Sequence, residues 1–337
     1  MKFKFLYVFF IFFFLSLFFC KANSQSENIL PIDYKKTLEE VYNKSYKDIS
    51  GKNASYIPEL SKVDPNLFSI SIATVDGEIF SVGDSDFNFS LQSISKVFAY
   101  ALALEDNKQK IIFDKIGLDA TGKKFNSITT LEKRSYNSHN PYVNVGAIQT
   151  TSYIKGKDNK EKWERFFALL ESMSDKKIFL SEKIYQSETE SNTRNHAIAH
   201  LLKSHNMLKG DPKEVLDRYT KACSIMVTTK QLALMGATIA NNGINPLTEK
   251  QVLSPKVTRH IVSQMLINGH YEKSGTWFVK IGVPAKSGVS GGILAIIPNK
   301  LAIAVFSSRL DASGTSIRGE KVIQKLSNIW GLHLLDS

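Results

Sequence analysis

The sequence predicts an α+β fold, in which an antiparallel sheet flanked by helices carries an inserted helical lobe. Apolar runs typical of strands lie near both ends of the chain, at residues 67–75, 78–82, 292–297 and 301–307. Residues 100–272, between them, show mainly helical periodicity. Because strands bury their apolar faces by pairing within a sheet, we expect both ends to build one sheet, with a site at the seam between sheet and helices.

The individual elements follow from local patterns in chain order. An amphipathic helix is predicted over residues 33–47, and Asp76-Gly77 between the first two strands is a strong hairpin signal. After a loop at 83–89, an apolar helix begins at Ser93. The clear helices of the middle part are predicted at 162–174, 194–204, 212–220 and 229–241. The C-terminal part predicts strands at 280–282, 283–290, 292–297 and 301–307, followed by a helix at 316–330.

The first residues of the chain have the pattern of an export signal. Lys2 and Lys4 precede an apolar run over residues 5–19, whose only polar side chain is Ser16. This run is too short for a comfortable membrane span and matches the apolar core of a signal peptide. The first interpretation is therefore that residues 1–24 form a cleaved export signal.

Two other interpretations of this segment remain open. Cys20 directly follows the apolar run and could carry a lipid, although the bulky Phe18 and Phe19 precede it. The third interpretation is an uncleaved membrane anchor. We therefore expect an exported protein that is periplasmic or secreted, with a lipoprotein as the alternative. Contact with a membrane is expected only through this segment or through a lipid attached to Cys20.

Residues 25–337 are enough for one compact unit with a full core. We expect a sheet lobe from about 25–90 and 275–337, and a helical lobe from about 91–274. Of the two cysteines only Cys223 lies in this part, so no disulfide is expected within it. The formal net charge is +11, but no basic face is interleaved with aromatic residues, so the sequence does not favour binding of nucleic acid.

Ser93-Ile94-Ser95-Lys96, at the start of the apolar helix, is the first candidate for chemistry. Two side chains three residues apart on a helix share one face, with about 5–6 Å between their Cβ atoms. Lys96 can then accept the proton of the Ser93 hydroxyl and make it a nucleophile. Similar patterns at 152–155 and 174–177 lie next to charged surface segments and are interpreted as incidental.

Lys286-Ser287-Gly288, on a predicted strand, is the companion element that penicillin-recognising serine enzymes place beside such a helix. The small residues that follow allow close approach of a substrate, and a strand N–H can help to hold an oxyanion. Lys96 must be neutral to act as a base, and burial beside a second cation such as Lys286 would lower its pKa. Together the two elements favour acyl transfer through a serine ester.

A metal site is not predicted. His196 and His200 have the i, i+4 spacing that can chelate zinc, but no glutamate or cysteine completes the set, and His205 falls on another face. A solvated helix face is the better interpretation of these histidines.

With these pieces placed, the chain resembles the serine-dependent glutaminase family from about Tyr34 to His333. The resemblance implies a β-lactamase-like or penicillin-binding-protein-like fold, hydrolysis of L-glutamine to L-glutamate and ammonia, no cofactor, and a homo-oligomer, either a dimer or a tetramer. It rests on separated motifs: Tyr56-Ile57-Pro58-Glu59-Leu60, Leu91-Gln92-Ser93-Ile94-Ser95-Lys96, Asn140-Pro141-Tyr142-Val143-Asn144-Val145-Gly146-Ala147-Ile148, Ser187-Glu188 with Ser191, Arg194-Asn195, and Pro284-Ala285-Lys286-Ser287-Gly288-Val289-Ser290-Gly291-Gly292.

The resemblance also implies roles for individual residues. Ser93 would be the nucleophile and Lys96 its base, the backbone N–H groups of Ser93 and Val289 would hold the oxyanion, and Tyr271 would act near the leaving ammonia. The remaining matches to substrate contacts are Tyr56, Asn144, Glu188, Asn195 and Tyr219. Their chemistry suits a free amino acid, because Glu188, the single acid of the set, suits its ammonium, while asparagine and tyrosine donors suit its carboxylate.

Two other functions remain open from the sequence alone. A β-lactamase or D,D-peptidase gains support from Ser138-His139-Asn140, which supplies a Ser-x-Asn element between the other two. An amino-acid-binding protein without turnover would use the same substrate contacts, but it would not need Ser93 and Lys96.

Overall fold

Strands from the two ends of the chain pair into one antiparallel sheet in the computed structural model, which describes residues 33–132 and 139–336. The sheet has the order β2-β1-β8-β7-β6, and a second, small sheet has the order β3-β5-β4. The strands are β1 (Phe68–Thr74), β2 (Ile79–Gly83), β3 (Phe89–Ser90), β4 (Phe179–Leu180), β5 (Ile225–Val227), β6 (Ala285–Ser287), β7 (Gly292–Ile297) and β8 (Leu301–Ser307). The predicted pairing of the two chain ends is therefore confirmed.

The helices fall largely between the two groups of strands of the main sheet, and residues from Asp33 onward form one compact unit. They are α1 (Tyr34–Tyr46), α2 (Pro58–Ser61), α3 (Ser95–Asp106), α4 (Gln109–Ile116), α5 (Thr129–Glu132), α6 (Asn144–Thr151), α7 (Asn159–Ser172), α8 (Glu182–Ser191), α9 (Thr193–Ser204), α10 (Pro212–Cys223), α11 (Thr229–Ala240), α12 (Pro255–Asn268), α13 (Ser274–Ile281) and α14 (Ile317–Trp330).

Helix α11 lies directly on one face of the main sheet, against β1, β7 and β8. Every residue of this helix except Lys230 is buried, as its apolar sequence requires. A Cβ added at Gly236 would come within 2.6 Å of the Ala302 side chain. The glycine therefore allows the helix and the sheet to approach closely. Their shared hydrophobic core holds the sheet in place relative to the helices.

The opposite face of the sheet is covered by α1 and α14, which contact each other. Helix α1 begins after Asp33, whose carboxylate accepts a hydrogen bond from the Lys36 N–H, and it buries Leu38 and Val41. Helix α14 is capped in the same way by Ser316. The sheet is thus covered by helices on both faces.

Local structure differs from the sequence prediction at several places. The strand predicted at 283–290 is limited to β6, Ala285–Ser287, and a turn follows it. Residues 280–282 are the end of helix α13 and its cap, because Gly282 takes the left-handed conformation that ends helices (φ 70°). Ser93 lies in a 3-10 turn, Gln92–Ile94, directly before α3 rather than inside that helix. The small sheet β3-β5-β4 was not predicted, since two- and three-residue strands carry too little pattern.

The predicted export signal at 1–24, Cys20 and Ser138 lie outside the described residues. None of the helices within 33–132 and 139–336 has the length and apolar character that crossing a bilayer requires.

Candidate active site

A strained turn presents Ser93 at the start of α3. The preceding residue, Gln92, has φ 49°, a left-handed conformation that is uncommon for a residue with a side chain. The turn is held from both sides, because the Leu91 N–H donates to the Ile225 carbonyl at 2.9 Å and the Ser95 hydroxyl donates to the Gln92 carbonyl at 2.8 Å. Such strain persists where surrounding contacts fix it, and it is common at active sites.

Lys96, one turn further along α3, is buried and only 2 % exposed. Its Nζ donates to the Tyr142 carbonyl at 3.0 Å and to Asn144 Oδ1 at 2.7 Å. Burial lowers the pKa of Lys96 to about 7, although the acidic groups of Cys223 and Glu188 act in the opposite direction. A large share of this amine is therefore neutral near pH 7, as a general base requires.

Tyr271 lies close to both buried lysines. It opens a 3-10 turn with φ 55°, and its hydroxyl oxygen accepts a hydrogen bond from Lys286 Nζ at 3.0 Å. Its side chain is also hydrogen-bonded to Ser93, and burial raises its pKa. The Nζ atoms of Lys96 and Lys286 lie 5.6 Å and 4.2 Å from the centre of its ring. The structure therefore joins Ser93, Tyr271 and Lys286 in one chain of contacts.

Lys286 is completely buried on β6 and also donates to the Ser287 carbonyl at 2.8 Å. Burial lowers its pKa well below the ordinary value, and the charge of Lys96 lowers it further. The charge of Lys96 thus disfavours protonation of Lys286, whereas burial alone accounts for the lowered pKa of Lys96, and the predicted contribution of Lys286 to it is not found.

The hairpin after β6 packs against the turn that carries Ser93. A Cβ added at Gly288 would come within 2.8 Å of the Leu91 carbonyl oxygen, and one at Gly292 within 2.7 Å of the Phe89 ring. These glycines let the two backbones approach. Among the described residues, the backbone N–H of Val289 has no acceptor, which leaves it available to a substrate oxygen.

A cavity of about 210 Å³ adjoins this centre. Of the predicted substrate contacts, it is lined by Tyr56, Asn144, Glu188 and Asn195. Asn144 links the groups, because its Oδ1 accepts from Lys96 while its Nδ2 donates to Asn195 Oδ1 at 3.0 Å. Tyr219 is buried behind Asn144 and donates to its Oδ1 at 3.4 Å, so it does not line the cavity itself.

Glu188, on α8, supplies the acid of this cavity. Burial raises its pKa to about 7, although the hydrogen bond from the Gln92 side-chain amide and the charge of Lys96 favour the ionised form. Gln92 also donates to Ser90 Oγ at 3.2 Å. One residue therefore joins the strained turn at Ser93 to the acid of the cavity.

Several lining residues were not predicted from the sequence. Phe125 and Asn126 lie in a loop without periodicity, and nothing in their local sequence marks them. Gln92 lies within the sequence Leu91–Lys96, but nothing in that pattern predicts its contact with Glu188. The buried thiol of Cys223 lies 3.8 Å from Ser95 Oγ, and burial raises its pKa to about 12, so it is not a reactive thiolate.

The features that supported other chemistry are arranged differently. His196 and His200 are exposed on α9, and no group of His, Cys, Asp and Glu that could hold a metal is found in the described part of the chain. The Asn140 amide is engaged in structure: its Nδ2 donates to the Asp119 carbonyl and to Asn268, and its Oδ1 accepts from the backbone N–H groups of Tyr142 and Val143.

Comparisons with known proteins agree on one family. A family model described as Glutaminase matches residues 51–335. A glutaminase of Colwellia psychrerythraea is 46% identical over 290 residues, covering 86% of this chain and 93% of the relative. A glutaminase of a Nostoc species is 44% identical over 317 residues, covering 94% of both chains.

Solved structures give the same result. A structure described as probable glutaminase ybaS superposes with a TM-score of 0.88 at 40% identity and covers 90% of this chain and 98% of that one. A probable glutaminase from Bacillus subtilis, complexed with 6-diazo-5-oxo-L-norleucine, superposes with a TM-score of 0.79 at 30% identity, with 89% and 94% coverage. The structural neighbours share the β-lactamase-like arrangement of sheet and helices.

Proposed function

This chain belongs to the glutaminase family, and we propose that it hydrolyses the side-chain amide of L-glutamine to L-glutamate and ammonia through an ester on Ser93. The observation that carries this proposal is the contact chain from Ser93 through Tyr271 to Lys286, beside a buried Lys96 whose pKa is about 7. A hydroxyl, a neutral amine and a positioned phenol supply a nucleophile, a base and an acid for amide cleavage.

Substrate orientation follows from the cavity next to Ser93. Ionised Glu188 pairs with the α-ammonium of glutamine, because it is the acid among the predicted contacts that line the cavity. Asn195 already accepts from Asn144 through its Oδ1, so its NH₂ group remains for the α-carboxylate. The side chain of glutamine then extends from this cavity towards Ser93.

In the first step the Ser93 oxygen bonds to the amide carbon while neutral Lys96 takes its proton. The backbone N–H groups of Ser93 and Val289 hold the negative charge that develops on the carbonyl oxygen. Tyr271, whose oxygen accepts from Lys286, gives its O–H proton to the amide nitrogen and is reprotonated by the proton that Lys96 took from Ser93. The carbon–nitrogen bond breaks, ammonia leaves, and water hydrolyses the ester to glutamate.

The direct test is the Ser93→Ala variant. We expect release of ammonia from L-glutamine to fall by about four powers of ten or more, with glutamine still bound. Ser152→Ala is the matched control, because it removes a hydroxyl from another Ser-x-x-Lys sequence whose serine lies in contact with Gln149 and Lys209. Turnover that survives Ser93→Ala would show that the nucleophile is wrongly chosen.

The alternatives are less well supported. The family model and the relatives that match this chain are described as glutaminases. The amide of Asn140 is hydrogen-bonded to backbone groups and to Asn268, which gives little support to a Ser-x-Asn element of a penicillin-recognising enzyme. A binding protein without turnover would not require a buried lysine whose pKa is lowered to about 7, as that of Lys96 is. Acylation of Ser93 by labelled penicillin without release of ammonia from glutamine would favour the first alternative.

Export and assembly belong to the same proposal. Export is supported by the apolar run at 5–19 after Lys2 and Lys4, and a dimer or tetramer by the family resemblance alone. The N-terminal sequence of the purified protein distinguishes cleavage before Gln25 from lipid attachment at Cys20. Light scattering of the eluting protein gives the number of subunits, and a monomer would contradict the expected oligomer.

A further inference from the structure

A second and larger cleft, of about 530 Å³, adjoins the cavity expected to hold the amino acid. Both are lined by Tyr56, Phe125 and Asn126. The larger cleft also includes Val289, whose N–H we place on the oxyanion, and Glu272, the residue after Tyr271. It therefore lies next to the acyl carbon, on the side of the residues that handle the leaving nitrogen.

Glutamine itself does not need this cleft. Its charged end is accommodated by Glu188 and Asn195 in the smaller cavity, and its leaving group, ammonia, is a single heavy atom. A cleft of about 530 Å³ falls within the size range of pockets that hold small organic molecules. An amine with a substituent on its nitrogen would place that substituent there.

The charges around the cleft favour an anionic group. Lys52 and Lys124 are both exposed on its wall, and within the described part of the chain neither has an ion-pair partner. Asp311 is already paired with Lys273 at 2.6 Å and accepts from the Ser313 and Thr315 backbones. Glu272 has no ion-pair partner among the same described residues, so unpaired positive charge exceeds unpaired negative charge on the wall of the cleft.

We propose that the enzyme also hydrolyses γ-glutamyl amino acids, with the carboxylate of the leaving amino acid in this cleft, an inference that rests on the proposed function. The Ser93 oxygen bonds to the γ-carbonyl carbon, and the carbon–nitrogen bond breaks as the nitrogen receives a proton and leaves as the amine of a free amino acid. Water then hydrolyses the glutamyl ester. One γ-glutamyl amino acid and one water give glutamate and one amino acid.

The test uses γ-L-glutamylglycine, L-glutamine and the uncharged γ-L-glutamylmethylamide as parallel substrates of the full-length protein. Released glycine, ammonia or methylamine is measured by chromatography. The variant Lys52→Gln/Lys124→Gln removes both unpaired lysines, and Lys256→Gln, an exposed lysine on α12, is the control. We expect the double variant to lower kcat/KM for γ-glutamylglycine by about tenfold and to leave the other two substrates within about twofold.

The outcomes separate the inference from the proposed function. Release of glycine that depends on Ser93 and on the two lysines supports the inference. If glutamine is hydrolysed but γ-glutamylglycine is not, the inference is wrong and the proposed function stands. If γ-glutamylglycine is cleaved equally well by the double variant, the role given to the lysines is wrong. If no ammonia is released from glutamine, the proposed function fails and the inference with it.

Discussion

Lys286 Nζ donates a 3.0 Å hydrogen bond to the hydroxyl oxygen of Tyr271. Because this lysine occupies an acceptor position on the oxygen, the phenol proton is directed away from the lysine. The strand β6 and the 3-10 turn at Tyr271 thereby fix a proton donor next to the nucleophile. Burial raises the pKa of Tyr271, so the phenol stays protonated and able to donate.

The variant Tyr271→Phe tests this arrangement. It removes the proton donor to the leaving nitrogen and leaves the glutamate cavity intact, so we expect kcat to fall by about 10²–10³-fold while KM changes little. Steady-state kinetics with glutamine give both values.

A matched control for this variant is Tyr100→Phe. The Tyr100 hydroxyl is buried and, among the described residues, has no hydrogen-bond partner. Its removal should therefore leave kcat unchanged. A Tyr271→Phe enzyme as active as Tyr100→Phe would contradict the role of Tyr271 as proton donor.

The pH dependence of activity follows from Lys96 and Glu188. Each has a pKa of about 7, Lys96 lowered and Glu188 raised mainly by burial. Catalysis needs both groups deprotonated, so kcat/KM should rise with pH through about 7 and then level off. Because the two groups interact, the apparent pKa values belong to the pair and not to either residue alone.

The variant Glu188→Gln separates the two groups. The increase of kcat/KM with pH that is due to Lys96 should remain, while KM should rise by about tenfold or more, since an ion pair with the substrate ammonium is lost. A flat profile between pH 6 and 8 would contradict a neutral lysine base.

Stability should depend on pH for the same reason. The pKa of Lys96 is about 7 in the folded protein, against 10.5 for an ordinary lysine. Between these values the unfolded chain binds more protons, so the free energy of unfolding rises with pH. Below about pH 7 the free energy of unfolding is reduced by the full cost of burying the charged Lys96. This cost disappears as the pH approaches 10.5, the pKa of the lysine in the unfolded chain.

The variant Lys96→Met isolates this contribution. The difference in unfolding free energy between wild type and Lys96→Met should shift in favour of wild type from pH 7 to pH 10, by at most about 1.4 kcal/mol per pH unit. Urea denaturation at several pH values measures it. If the difference in unfolding free energy stays constant with pH, the pKa of Lys96 is not lowered by burial in the folded protein.

The sequence predicts much of this fold because strong local patterns lie where tertiary structure agrees with them. Asp76-Gly77 joins β1 and β2, and the closing helix ends within one residue of its prediction at Ser316 and Trp330. The sequence prediction is wrong at residues 280–282, where a strand is predicted but Gly282 ends helix α13. It also misses the short strands of the second sheet.

The site shows a similar division. Ser93, Lys96 and Lys286 are recognisable because their spacing and residue types imply a chemistry. The hydrogen bonds that connect them depend on contacts distant in sequence, as between Gln92 and Glu188. No local pattern encodes such a contact, and the left-handed conformation of Gln92 arises from the packing that surrounds it.

Gly288→Ala tests whether the hairpin after β6 must approach the turn at Ser93. The new Cβ would lie 2.8 Å from the Leu91 carbonyl oxygen, a backbone atom that cannot easily move. We expect the hairpin to shift, with unfolding free energy lower by about 1–3 kcal/mol and kcat reduced because the Val289 N–H moves away from the oxyanion. Gly275→Ala is the control, since no atom of the described residues outside the local backbone lies within 4 Å of a Cβ in that position of α13. Alanine there should stabilise the helix by about 0.5–1 kcal/mol. If Gly288→Ala retains full kcat and stability, the close approach of the two backbones is not what positions the oxyanion donor.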